Sequence, residues 1–205
     1  EPLWDSLRQA GVEVSIGQGL ERLPVILSGP WDTDKLQAGV RLDISHSSQP
    51  LSSWILASAN LPTDTVLTLE GKGVSNRHSN LTAEMVQSAG CTVELSDGKC
   101  LLKPWSPNGE GSYAVPGDAS MASFAVLACY CLSSKIQLIG WPENKNAIGH
   151  EILQDSAIEY GIQWSNGLLE AMDKATSVHL DVTDSNDILP PMAALLALGG
   201  GGKIT

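Results

Sequence analysis

The chain has 205 residues, 42% of them hydrophobic, enough to bury a core in one large domain or two small ones. Its 12 Lys and Arg stand against 23 Asp and Glu, a net charge of -11 with no basic run, which argues against nucleic acid as a partner. No apolar stretch reaches the roughly 20 residues of a membrane span, and EPLWDSLRQAGVEV lacks the basic and apolar regions of a signal peptide, so no membrane partner is expected.

In chain order, LRQAGVEVS (7–15) reads as the last turn of a helix, a glycine (Gly11), and alternating strand residues. Residues 45–61, SHSSQPLSSWILASANL, place small polar residues ahead of an apolar run, as a helix N-terminus requires. DTVLTLEG (64–71) alternates like a strand. VQSAGCTVELS (86–96) then repeats the helix-end, glycine, strand pattern at Gly90. Pro, Gly and Asn cluster in KPWSPNGEGSYAVPGD (103–118), which marks a boundary. Beyond it GDASMASFAVLACYC (from 117) is a second polar-then-apolar helix, KIQLIGW (135–141) a strand, and AIEYGIQWS (157–165) a third helix end at Gly161. SNDILPPMAALLALGG (from 185) is a third such helix, followed by GGGGKIT.

Equivalent positions recur about every 70 residues, so the chain reads as a repeat of βαβαββ units, an α/β (α+β) fold. It opens within the last helix of one unit and stops as the third copy passes from helix to strand, and is therefore expected to be an internal portion of a longer protein. Cys91, Cys100, Cys129 and Cys131 form no CxxC pair and are expected as free thiols, with a Cys91–Cys100 bridge across a hairpin as the alternative. No metal-ligand spacing links the four histidines, SHSS is not a GxSxG elbow, and GGGGKIT lacks P-loop spacing. Neither a metal nor a cofactor is expected.

Four segments resemble, in order, the motifs of the 5-enolpyruvylshikimate-3-phosphate synthase family. SSQPLSSWILASANLP is similar to its phosphate-binding SSQ segment and VSNRHSNLTAEMVQSAG to its S-x-P-Y segment. VPGDASMASFAVLA resembles its GDASSAS segment and SNDILPPMAALLAL the segment with its catalytic aspartate. The resemblance implies two lobes of three βαβαββ units each, residues 1–113 being the later part of one lobe and 114–205 the early part of the other. It implies an enolpyruvyl transferase of the shikimate pathway (aromatic amino-acid biosynthesis), moving the enolpyruvyl group of phosphoenolpyruvate to shikimate 3-phosphate. A cytoplasmic setting, or a plastid in a plant, goes with it.

By the same resemblance Ser47, Ser48, Gln49, Ser75 and His78 are the substrate-binding residues and Asp187 the catalytic one. Serine hydroxyls and amides at a helix start suit a phosphate, and a carboxamide both donates and accepts. Simple helix capping is the alternative for Ser47, Ser48 and Asp187, and the stronger reading for Asp118. Two positions depart from the family: Arg77 replaces its proline and His78 its tyrosine. With so few cations the 205 residues are expected to be inactive alone, other segments of the same enzyme being the expected partners. The alternative function is a non-catalytic βαβαββ scaffold with a weak sugar-phosphate site. A sister transferase acting on UDP-N-acetylglucosamine is disfavoured by the SSQ segment.

Overall fold

A computed structural model describes residues 2–17, 23–73, 76–96, 98–108, 115, 117–142 and 149–205. Two compact units divide the chain, Glu1–Gly111 and Ser112–Thr205. Among the described residues no helix is long and apolar enough to cross a membrane.

The first unit begins with helix α1 (Pro2–Gln9) and the antiparallel pair β1 (Glu13–Ile16) and β2 (Val25–Ser28). After α2 (Thr33–Ala38) comes one full repeat: β3 (Val40–Asp43), α3 (Gln49–Ala57), β4 (Thr65–Glu70), α4 (Asn76–Ser88), β5 (Val93–Ser96) and β6 (Lys99–Leu102). The sheet order is β3-β4-β6-β5, with β3 and β4 parallel and the other pairs antiparallel. Parallel strands need a crossover, and α3 supplies it. Its core holds Leu36, Leu42, Trp54, Ile55, Leu67 and Leu102, all fully buried. Indole N–H groups need partners in the core: the buried Trp54 donates from Nε1 to Ser6 Oγ at 2.8 Å, and the half-buried Trp105 from Nε1 to Ser58 Oγ at 2.9 Å.

The second unit runs α5 (Ala122–Cys131), β7 (Lys135–Gln137), α6 (His150–Asp155), β8 (Ile162–Ser165), β9 (Leu168–Ala171), β10 (Val178–Leu180), α7 (Leu189–Leu198) and β11 (Gly202–Ile204). One sheet has the order β7-β9-β8, all antiparallel, and β10 pairs with β11 in parallel. Asn166 and Gly167, both at positive φ, make the two-residue turn between β8 and β9. Val126, Cys129, Leu153, Tyr160, Leu169 and Met192 lie in its core. This unit shows α5-β7-α6-β8-β9 of the expected pattern; within the boundary read at 103–118, residues 109–114 and 116 lie outside the described residues.

Gly11, Gly90 and Gly161 share one geometry. Each has positive φ (+88, +101 and +81°), and each ends a helical turn with the same two bonds. The glycine amide reaches back three residues (Arg8, Gln87, Ile158) and the next amide five (Leu7, Val86, Ala157), at 2.9–3.1 Å. Those are the bonds of a glycine helix stop, which satisfy carbonyls the helix leaves open. The third copy differs in that regular helix ends at Asp155, and residues 156–160 continue as turns with bonds as long as 3.5 Å.

All four cysteines are free thiols. Cys100 pairs with Leu95 across the hairpin, and Cys91 lies four residues further along the other arm. The bridge offered as the alternative is therefore not formed. Burial pushes the Cys100 thiol up to about 12, so it packs as an apolar group. The strand expected over 135–141 stops at Gln137; beyond it the Gly140 carbonyl turns to accept from the Gly117 amide at 2.7 Å.

Candidate functional site

The connection from β3 into α3 carries three of the expected site residues. Ser48 is the N-cap, 3% exposed, and makes no side-chain capping bond. Ser47 is half-buried, and its hydroxyl accepts from the Gln49 amide at 3.2 Å. Gln49 is exposed, and Pro50 stands in the first turn, where a missing N–H costs nothing. No acidic residue sits in that first turn, so the partial positive charge of the helix end is not neutralised by its own side chains.

His78 lies in the first turn of α4 and is half-buried; Ser75 lies outside the described residues. Because β3 and β4 run in parallel, α3 and α4 run in the same direction and begin at the same edge of the sheet. Their contact is fixed by the Thr82 hydroxyl, which donates to Ser52 Oγ at 3.1 Å. One helical turn nearer the N-termini stand Ser48 on α3 and His78 on α4, so the structure brings the SSQ residues and His78 to one end of two adjacent helices. Arg77 is half-buried at the same end.

Ahead of α3, Asp43 closes β3 and accepts from the Ser45 amide at 2.8 Å and the Ser45 hydroxyl at 2.5 Å. Those two bonds, the hydroxyl foremost, hold the Asp43 carboxyl below the usual carboxylate range. The sequence reading passed over this pair. The signal was present: VRLDIS (40–45) and VHLDVT (178–183) share the pattern V-x-L-D followed by an aliphatic residue and a hydroxyl residue, one repeat-pair apart, and Asp181 likewise accepts from the Thr183 amide at 3.0 Å.

In the second unit Asp187 is exposed, within a single 3-10 turn (Asn186–Ile188) that leads into α7. The turn is anchored by Ser185, 1% exposed, whose hydroxyl accepts from the Gly149 amide at 3.1 Å. Asp118 accepts from the amides of Ser120 and Met121, at 2.8 and 3.1 Å, and from the Ser120 hydroxyl at 2.6 Å. Partial burial works against ionising it, yet those bonds win and leave its pKa lowered. It thereby holds the turn that leads into α5, whose N-cap is Met121.

Two clefts of the first unit flank the SSQ turn. One, about 680 Å³, is lined by Arg8, Gln9, Arg41, Asp43, His46 and Glu70 at the ends of β3 and β4. The Gln9 side-chain amide pairs with both backbone groups of Arg41, at 2.9 and 3.0 Å, and so occupies the open edge of β3. The other cleft, about 420 Å³, lies against Leu51, Asn76 and Ser79 at the starts of α3 and α4.

Comparison with known proteins gives one consistent result. The family described as EPSP synthase (3-phosphoshikimate 1-carboxyvinyltransferase) matches residues 1–203. The 3-phosphoshikimate 1-carboxyvinyltransferases of Methanocella arvoryzae and Photobacterium profundum are 25% and 28% identical over 205 residues, covering 98% and 96% of this chain and 47% of each relative. That of Mannheimia haemolytica is 32% identical over 177 residues, 82% of this chain and 39% of its own. In solved structures, EPSP synthase from Acinetobacter baumannii is alike in fold, with a TM-score of 0.65 at 18% identity over all of this chain and 48% of that one. The chain spans about half the length of the curated relatives it matches.

Proposed function

The chain belongs to the EPSP synthase (3-phosphoshikimate 1-carboxyvinyltransferase) family, and from that premise we propose that it is the portion of such a transferase that grips shikimate 3-phosphate. In this reading the N-terminus of α3 receives the phosphate. The Ser48 hydroxyl, left out of capping, donates to it, and Ser47 holds the Gln49 backbone in place while the Gln49 carboxamide meets a substrate hydroxyl. Ser75 adds a second hydroxyl and His78 an imidazole in place of the family's phenol. Residues 1–113 belong to one lobe of the transferase and 114–205 to the other, which contributes Asp187. The Asp187 carboxylate orients a shikimate hydroxyl and moves the proton as the enolpyruvyl carbon of phosphoenolpyruvate is attacked and phosphate leaves. A cytoplasmic setting is in keeping with four free thiols.

The observation that carries the proposal is the common starting edge of α3 and α4, which gathers Ser47, Ser48, Gln49 and His78. Calorimetric titration of the chain with shikimate 3-phosphate tests it. Binding that Ser48→Ala weakens by about tenfold is expected, the loss of one hydrogen bond to a charged group. Equal affinity in the two proteins would sink the reading.

The charge balance favours a second statement about the chain alone. Two phosphorylated substrates need a positive field, and a net charge of -11 opposes it. The isolated chain therefore binds weakly and does not turn over, as a sugar-phosphate scaffold. Steady phosphate release from shikimate 3-phosphate and phosphoenolpyruvate would refute that.

A further inference from the structure

We infer that Asp43 is the positioning residue of the SSQ turn: its carboxylate clamps Ser45 and thereby fixes the path by which the chain delivers Ser47, Ser48 and Gln49 to the substrate phosphate. The inference rests on the reading of that turn as the phosphate site.

Three features of the first unit support it. Both polar groups of Ser45 end on one Asp43 oxygen, and the amide of the intervening Ile44 donates to the Glu70 carbonyl at 3.0 Å. On the other side Gly71, at φ +86°, comes so close that a Cβ there would run into the Ser45 hydroxyl. The turn is thus wedged between the ends of β3 and β4, two residues before Ser47.

The placement of the charge is the second feature. Asp32, which caps α2, accepts directly from the Asp34 and Lys35 amides, both at 3.1 Å, and occupies its helix end. Asp43 ties the chain upstream of α3 instead, its charge answered by Ser45. A carboxylate at the N-cap itself would repel the phosphate from the helix end. The present arrangement gives the turn its anchor and leaves the Ser48 end without an acidic side chain.

Recurrence is the third. VRLDIS and VHLDVT align without a gap through Gln49 and Asp187, so the same clamp precedes the expected catalytic residue in the other unit. A contact kept in both units, each ahead of an expected site residue, points to presentation of those residues.

The test is calorimetric titration of the 205-residue chain with shikimate 3-phosphate, with thermal unfolding of each variant measured in parallel. Asp43→Ala, which removes both bonds, is expected to weaken binding about tenfold, Ser45→Ala, which keeps the backbone amide's bond, by less, and the double variant no more than Asp43→Ala alone. Asp43→Asn keeps an acceptor oxygen for Ser45 and is expected to restore affinity to within about threefold of wild type. Asp32→Ala removes a cap of the same kind elsewhere in the unit and is expected to leave affinity unchanged. Wild-type affinity in Asp43→Ala, or an equal loss in Asp32→Ala, overturns the positioning role. If Ser48→Ala weakens binding and Asp43→Ala does not, only the positioning role falls. If Ser48→Ala binds as wild type does, or the wild-type chain does not bind, the phosphate-site reading falls and the role of Asp43 with it.

Discussion

Helices α3 and α7 begin alike, each after a parallel strand that ends in an Asp clamp, yet their surroundings differ. In α3, PLSSWILA, Leu51 is 3% and Ile55 0% exposed. In α7, LPPMAALLAL, the equivalent Leu189 is 42% exposed and Ala193 is exposed too, although α7 is the more apolar helix. The cause is the neighbour. On α3, Ser52 of the same flank meets Thr82 of α4, whereas among the described residues α7 packs on α5 and β11. Burial is set by what a repeat places beside a helix as well as by the helix's own residues.

Four measurements put this difference in packing to the test. The largest effect is expected at Trp54→Ala, about 3–5 kcal/mol lost from the first unit in urea unfolding, because a fully buried indole and its bond to Ser6 go together. The discriminating pair comes next. Leu51→Ala is expected to cost about 2–5 kcal/mol and Leu189→Ala within about 0.5 kcal/mol, and similar losses would contradict the difference in packing.

Asp118→Ala, which removes the acceptor at the start of α5, is expected to cost about 1 kcal/mol. Its pH dependence has a definite sign. The folded pKa lies below the unfolded one, so the contribution is complete above about pH 4 and is lost as pH falls through the folded value. Melting of wild type and variant should therefore differ at neutral pH and converge in acid. The smallest effect belongs to Lys135→Ala, which breaks an exposed 2.7 Å ion pair with Glu170; it is expected to cost about 0.2–1 kcal/mol and to vanish in high salt.

Much of the repeat was legible because its signals are local. A glycine past a helix end has to reach positive φ wherever it stands, so Gly11 and Gly90 announced two helix stops from sequence alone, and Gly161 the end of the turns that follow α6. The starts of α3, α5 and α7 were equally plain from small polar residues ahead of apolar runs. Less legible was anything that depended on register. Cys91 and Cys100 flank a hairpin in the sequence, and only the structure, which pairs Cys100 with Leu95, shows them as free thiols. The Asp43–Ser45 clamp was written in VRLDIS, but its meaning needed the ends of β3 and β4 side by side.

From sequence alone came the period, the places where helices begin and end, and the family motifs that name Ser47, Ser48, Gln49, Ser75, His78 and Asp187. Tertiary structure decided which of those share an edge and which helix faces are covered. Local signals act through backbone geometry within a few residues, which any short stretch reveals. Contacts such as Thr82 with Ser52, or Gln9 with the edge of β3, join residues 30 or more positions apart, and arise only when strand pairing sets the register.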